Sequence, residues 1–122
     1  MKILYVKFLL LCLMSLTMLV TPGIVCADQE DEINHLLVYI AQSNCTYIRN
    51  GKGYSAQEAR DHIAGKYTSV KWRINSTETF IRKIASRSSL SGEQYLVICG
   101  AEEHSTELWL FKELENYRNQ LR

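Results

Sequence analysis

The chain has 122 residues, 14 basic and 13 acidic, for a formal net charge of +1. So even a balance excludes the broad cationic field with which proteins hold nucleic acid or anionic membranes. The length suits one domain with a small core.

The first 27 residues read as a secretory signal. Lys2 and Lys7 form a charged n-region, and residues 8–20 form an apolar run broken only by Ser15 and Thr17. Pro22, Gly23 and the triplet Val25, Cys26, Ala27 supply a small-residue cleavage site. The run is shorter than the ~20 residues that span a bilayer. Residues 1–27 are therefore expected to be cleaved before Asp28, leaving 28–122 as a single exported domain with no stable membrane insertion. Lipid attachment at Cys26 needs a small residue before it, and Val25 is β-branched. Losing Lys2 and Lys7 leaves 12 basic residues against 13 acidic. Cys45 and Cys99 remain, a pair that an oxidising compartment can join. A loop of about 55 residues closed this way would contribute roughly 4 kcal/mol. The alternative is two separate buried thiols.

Residues 28–43 read as an amphipathic helix, with Ile33, Leu36, Leu37 and Ile40 on one face and Asp28, Glu30, Asp31 and Glu32 in the first turn. Residues 45–49 read as a short strand, ended by turn chemistry at Asn50, Gly51, Lys52 and Gly53. Ser55 and Glu58 form a capping box for a second helix with the stripe Ala56, Ala59, Ile63 and Tyr67, and His62 at its margin. A third helix starts after Asn75 or Ser76, with Asn75 and Glu78 placed for another box and Phe80, Ile81, Ile84 and Ala85 buried. It runs into a hydroxyl-rich loop at 86–92. Residues 94–99 are the best strand, and 100–104 turn the chain. Ser105 caps a last helix with Leu110, Leu114, Tyr117 and Leu121 recurring on one face.

The resulting expectation is a small α+β domain of order α-β-α-α-β-α, four helices around a two-stranded antiparallel sheet. Antiparallel pairing sets the start of the first strand opposite the end of the second, which brings Cys45 beside Cys99.

Several motifs resemble the YfeK-like family. They are Cys45-Thr-Tyr-Ile-Arg-Asn-Gly51, Glu58-Ala-Arg-Asp-His62, Lys66, Arg73-Ile, Thr77-Glu78, Phe80-Ile81, Ile84-Ala-Ser86, Ser88-Ser89, Ser91-Gly92 and Tyr95. The likeness covers roughly residues 28–114. It implies a small periplasmic protein of a Gram-negative bacterium, with a domain of unknown function and no catalytic residue to carry over.

The candidate chemistry lies in three places. Glu58 and His62 are four apart on one helix and can meet. With a serine of the 86–91 loop they would make an acid, base and nucleophile set for a small envelope hydrolase. No Gly-x-Ser-x-Gly elbow accompanies them. The competing role for Glu58 is the capping box. Ser86, Ser88, Ser89 and Ser91 offer hydroxyls to a glycan or an anion, with Arg87 as counter-charge, or else satisfy their own turns. Arg49 and Asn50 sit at a turn, where ligand contacts concentrate; Arg49 can instead pair with Glu58 or Glu78. His35, His62 and His104 are scattered, and Glu32-x-x-His35 occurs only once, so no metal is expected. No cofactor fingerprint is present. The leading expectation is a non-enzymatic periplasmic protein that binds another protein or a glycan through Arg49, Asn50, Glu58, His62 and the serine loop. The hydrolase is the alternative.

Overall fold

A computed structural model describes residues 19–21, 23 and 27–122. Most of the expected signal segment, Cys26 included, lies outside the described residues.

Helix α1 covers Gln29–Gln42, capped by Asp28, whose carboxylate accepts from the Asp31 amide at 2.8 Å. Strands β1 (Thr46–Arg49) and β2 (Lys52–Tyr54) form a hairpin. Helix α2 spans Ala56–Val70 behind the complete Ser55–Glu58 capping box. Helix α3 begins as a single α turn, Thr77–Thr79, and widens to π geometry over Phe80–Ala85. Strands β3 (Leu96–Cys99) and β4 (Glu102–Ser105) make a second hairpin, and α4 covers Thr106–Gln120.

The fold is α+β, with a four-stranded antiparallel sheet of order β2-β1-β3-β4 instead of the expected two-stranded one. Both additional strands are edges, and each lies where the sequence suggested only a turn. Arg49 pairs with Lys52 across Asn50-Gly51, whose φ values of 49° and 76° suit a primed two-residue turn. Cys99 pairs with Glu102 across Gly100-Ala101, with Gly100 at φ 64°. Edge strands tolerate charged residues and glycine because one rim of the backbone and much of each side chain meet water. Lys52-Gly-Tyr54 and Glu102-Glu-His-Ser105 therefore carry no alternating apolar signal.

The expected central pairing is present. Thr46 lies opposite Ile98 and Tyr47 opposite Val97, and the next step along brings Cys45 to Cys99, where a disulfide joins them with the Cα atoms 4.6 Å apart. Tyr47 and Val97 are buried against the helices, whereas Ile48, Leu96 and Ile98 on the other face are half-buried.

The helices supply most of the core. Ile33, Leu36 and Ile40 of α1, Ile63 of α2, Phe80 and Ile81 of α3 and Leu110 of α4 are almost wholly buried. Each such side chain contributes roughly 1.5–3 kcal/mol by leaving water. Tyr67 meets Phe80 edge-on at 5.3 Å. Two expected details change. Ser76, not Asn75, caps α3, accepting from the Thr79 amide, and Glu78 turns to Arg118 instead of completing a box. Leu121 is exposed, beyond the last helical turn that packs.

Candidate functional site

The capping box fixes where α2 begins. The helical repeat then sets Glu58, Ala59, His62 and Ile63 on one side, facing the β1–β2 hairpin. Between helix and sheet opens a pocket of about 300 Å³, near the lower end of ligand sites. The hairpin contributes Tyr47, Arg49 and Tyr54, and Tyr95 enters from just before β3. The Arg49 guanidinium stacks 4.3 Å from the Tyr54 ring centre, a cation–π contact, and it also reaches the Tyr95 phenol. Lys66, one turn beyond His62, stands behind Tyr95. Its ammonium donates to Tyr95 Oη at 3.2 Å and to the Arg87 carbonyl at 2.8 Å.

Two cations, Arg49 in the lining and Lys66 behind it, stand here against the carboxylates of Glu58 and Asp61. Burial, followed by the charge of Arg49, pushes the Lys66 ammonium down to about 8. Burial again, then Arg49 and Lys66, holds His62 below its ordinary value, so its imidazole is neutral at neutral pH. Burial raises the phenols of Tyr47 and Tyr95, which stay protonated. Glu58 and Asp61 also line the pocket, but both are engaged. Glu58 accepts from the Ser55 amide at 2.9 Å, and Asp61 accepts from Arg60 and Gln57. Among the described residues Arg49 forms no salt bridge, and Glu78, its other expected partner, is held by Arg118.

Of the residues singled out from sequence, Arg49, Glu58 and His62 meet in this pocket. Asn50 stands at the adjoining turn, where its Oδ1 accepts from Ser91 Oγ at 2.9 Å and ties the serine loop to the hairpin. The other serines go elsewhere. Ser86 is buried, with no partner for its hydroxyl among the described residues. Ser88 is buried too and accepts from the Ser91 amide. Ser88 and Ser89 line a different groove, and the lining of the His62 pocket holds no serine, threonine or cysteine. With Glu58 engaged in the cap, the geometry does not assemble the acid, base and nucleophile set.

Over residues 27–118 the chain matches a model described as a family of unknown function, DUF5329. The chain belongs to this family. It is also 39% identical over 70 residues to the Salmonella typhimurium protein called uncharacterized protein YfeK, a match covering 57% of this chain and 58% of that protein. The chain thus spans just under three fifths of that relative's length. No solved structure matches it. The DUF5329 span contains every residue that lines the pocket.

Tyr54, Asp61 and Tyr95 of the lining, and Lys66 behind it, have no role assigned from sequence. Lys66 and Tyr95 stood among the family-like motifs, but their spacing said nothing about meeting. Tyr54 was hidden because β2 itself was hidden. The Asn50-Gly51 dipeptide was the available signal, since Asn-Gly between strands calls for a hairpin that returns Tyr54 opposite Tyr47.

Proposed function

We propose that this protein is a non-enzymatic binding protein of the bacterial periplasm, and that the α2–hairpin pocket receives a small anionic ligand, best matched by an acidic sugar of an envelope glycan. The observation that carries this reading is Arg49, stacked on Tyr54 at the pocket wall with no carboxylate partner among the described residues. An acidic group would take its N–H donors. A neutral imidazole and two phenols would accept from or donate to hydroxyls, and tyrosine rings would cover an apolar ring face. A volume of about 300 Å³ admits one sugar unit.

The periplasmic placement rests on the charged, apolar and small-residue order of the first 27 residues. A joined cysteine pair suits an oxidising compartment. A periplasmic protein presenting a carboxylate at the same position, such as a chain terminus or an acidic loop, would use the same donors.

The test is a titration of isotope-labelled protein with glucuronic acid, with glucose as the uncharged comparison. The expected result is a saturable amide shift at Arg49, His62 and Tyr95 with the acid only, lost in Arg49→Ala. No response to the acid at millimolar concentration, or an equal response to glucose, would overturn the acidic-sugar reading.

A further inference from the structure

A second groove, of about 680 Å³, is built from residues 70–74, helix α3 and the 86–92 loop. Arg73, Lys83 and Arg87 line it, together with Ser88 and Ser89, and no carboxylate does. None of the three cations forms a salt bridge among the described residues, whereas Arg82 next door pairs with Glu107. Arg87 Nε is buried and has no hydrogen-bond partner among the described residues. Such a donor gains most from an acceptor entering the groove. The Arg87 main chain is fixed on both sides, by Lys66 at its carbonyl and by a bridge to Gln94. The π geometry of α3 brings Ile84, five residues on from Thr79, into the same wall as Lys83.

The neighbours of these residues indicate how an acceptor arrives. Trp72, beside Arg73 in sequence, is 82% exposed, and Leu90, beside Ser89, is 101% exposed. Trp72, with the Arg73 guanidinium 5.4 Å from its ring centre, and Leu90 thus adjoin groove residues in sequence and match the two elements of a membrane-surface contact, an interfacial aromatic and local positive charge. The near-zero net charge provides no long-range field, so the attraction is confined to this patch.

We propose that this groove binds the phosphate of an anionic phospholipid headgroup, with Arg73, Lys83 and Arg87 as the charge partners and Trp72 and Leu90 seated at the level of the headgroups. It is a surface contact: no helix among the described residues is long and apolar enough to cross a membrane. It stands apart from the α2–hairpin pocket and shares no lining residue with it.

The experiment is sedimentation of the purified protein with vesicles of phosphatidylcholine alone or with about 30% phosphatidylglycerol, since anionic headgroups supply the attraction. Inorganic phosphate is titrated in parallel and followed by amide shifts. The proposal expects binding to the anionic vesicles only, weakening with salt, and a blue shift of tryptophan emission that Trp72→Ser removes. Arg73→Gln with Lys83→Gln lowers partition about 30-fold, roughly fivefold for each charge. Both residues are exposed, and an unchanged melting point of the double variant confirms that it folds. Saturable binding of inorganic phosphate without vesicle binding would overturn the proposal in favour of a free anion. Equal binding to both vesicle types, or binding to neither, would overturn it as well.

Discussion

Two charged clusters sit at opposite extremes of pairing. Arg118 of α4 donates to Glu32 of α1 at 2.6 and 2.9 Å and to Glu78 of α3 at 2.7 Å, while Thr77 donates to Glu32 at 2.7 Å. Each of these charges has an opposite partner, and the result is a clamp across three helices. At the α2–hairpin pocket Arg49 of the lining and Lys66 behind it also come from separate elements, yet neither forms a salt bridge among the described residues. Lys66 is satisfied by neutral oxygens. A cluster whose charges all have opposite partners holds the fold together; one whose cations lack them is available to something else. The two also differ in what fastens them: the helical clamp is ionic, whereas the strand carrying Arg49 is fastened by the disulfide.

The largest effect should come from cutting that fastening. Cys99→Ser should lower stability by about 2–5 kcal/mol, the usual loss for a small domain, and the melting point by at least ~8 °C. Reductant should bring the wild type down to the variant and leave the variant unmoved. A wild-type melt indifferent to reductant would mean that the disulfide does not hold the sheet.

Breaking the helical clamp comes next. Arg118→Ala strands Glu32, whose side chain is only 9% exposed. The loss should be about 2–3 kcal/mol, below the ~3–5 of a fully buried pair because the Arg118 side chain is itself 39% exposed. Denaturant unfolding measures it, and a loss under ~0.5 kcal/mol would place the cluster among ordinary surface charges.

Acid should separate the two clusters by a smaller margin. Hydrogen bonds from Arg118 hold the carboxyls of Glu32 and Glu78 below the ordinary 4.5. Depressed acids contribute stability that is present above their unfolded value and lost as pH falls through the folded one. Wild-type stability should therefore decline below about pH 4.5, and more steeply than that of Arg118→Ala. Parallel pH profiles for the two proteins would remove the linkage.

The smallest effect on folding should come from the open cluster. Arg49→Ala should shift stability by no more than ~0.5 kcal/mol while abolishing the response to glucuronic acid. A loss as large as that of Arg118→Ala would show that Arg49 is a structural partner and that the contrast between the clusters is false.

The helices were legible because their signals are local. Ser55 and Glu58 announce α2, Ser105 announces α4, and Ile33, Leu36, Leu37 and Ile40 mark the inner face of α1, all as found. The central strand pair was legible from β-branched residues and from the cysteines. The edge strands were not, since backbone pairing with a neighbour holds them and their side chains answer to water. The π widening of α3 leaves no trace in a stripe of Phe80, Ile81, Ile84 and Ala85. Arg49, Glu58 and His62 could be picked out as polar residues near turns and helix margins, but not their convergence with Tyr54 and Tyr95, which depends on hairpin register. Arg73 stands in the sequence only in a family-like motif and Lys83 in none, because only the tertiary fold brings them alongside Arg87.

The two-hairpin sheet also dictates an order of events. β1–β2 and β3–β4 each close over a two-residue turn, and such hairpins form within roughly 1–10 μs. The central β1–β3 pair has to wait, because everything from β2 through α3 lies between its strands and Cys45 and Cys99 are 54 residues apart. Closing so long a loop is the slow, non-local step. In the finished sheet the two hairpins lie side by side, and the Cys45–Cys99 bridge spans the seam between them. One covalent bond thereby ties both hairpins, and with them both edge strands, into a single sheet.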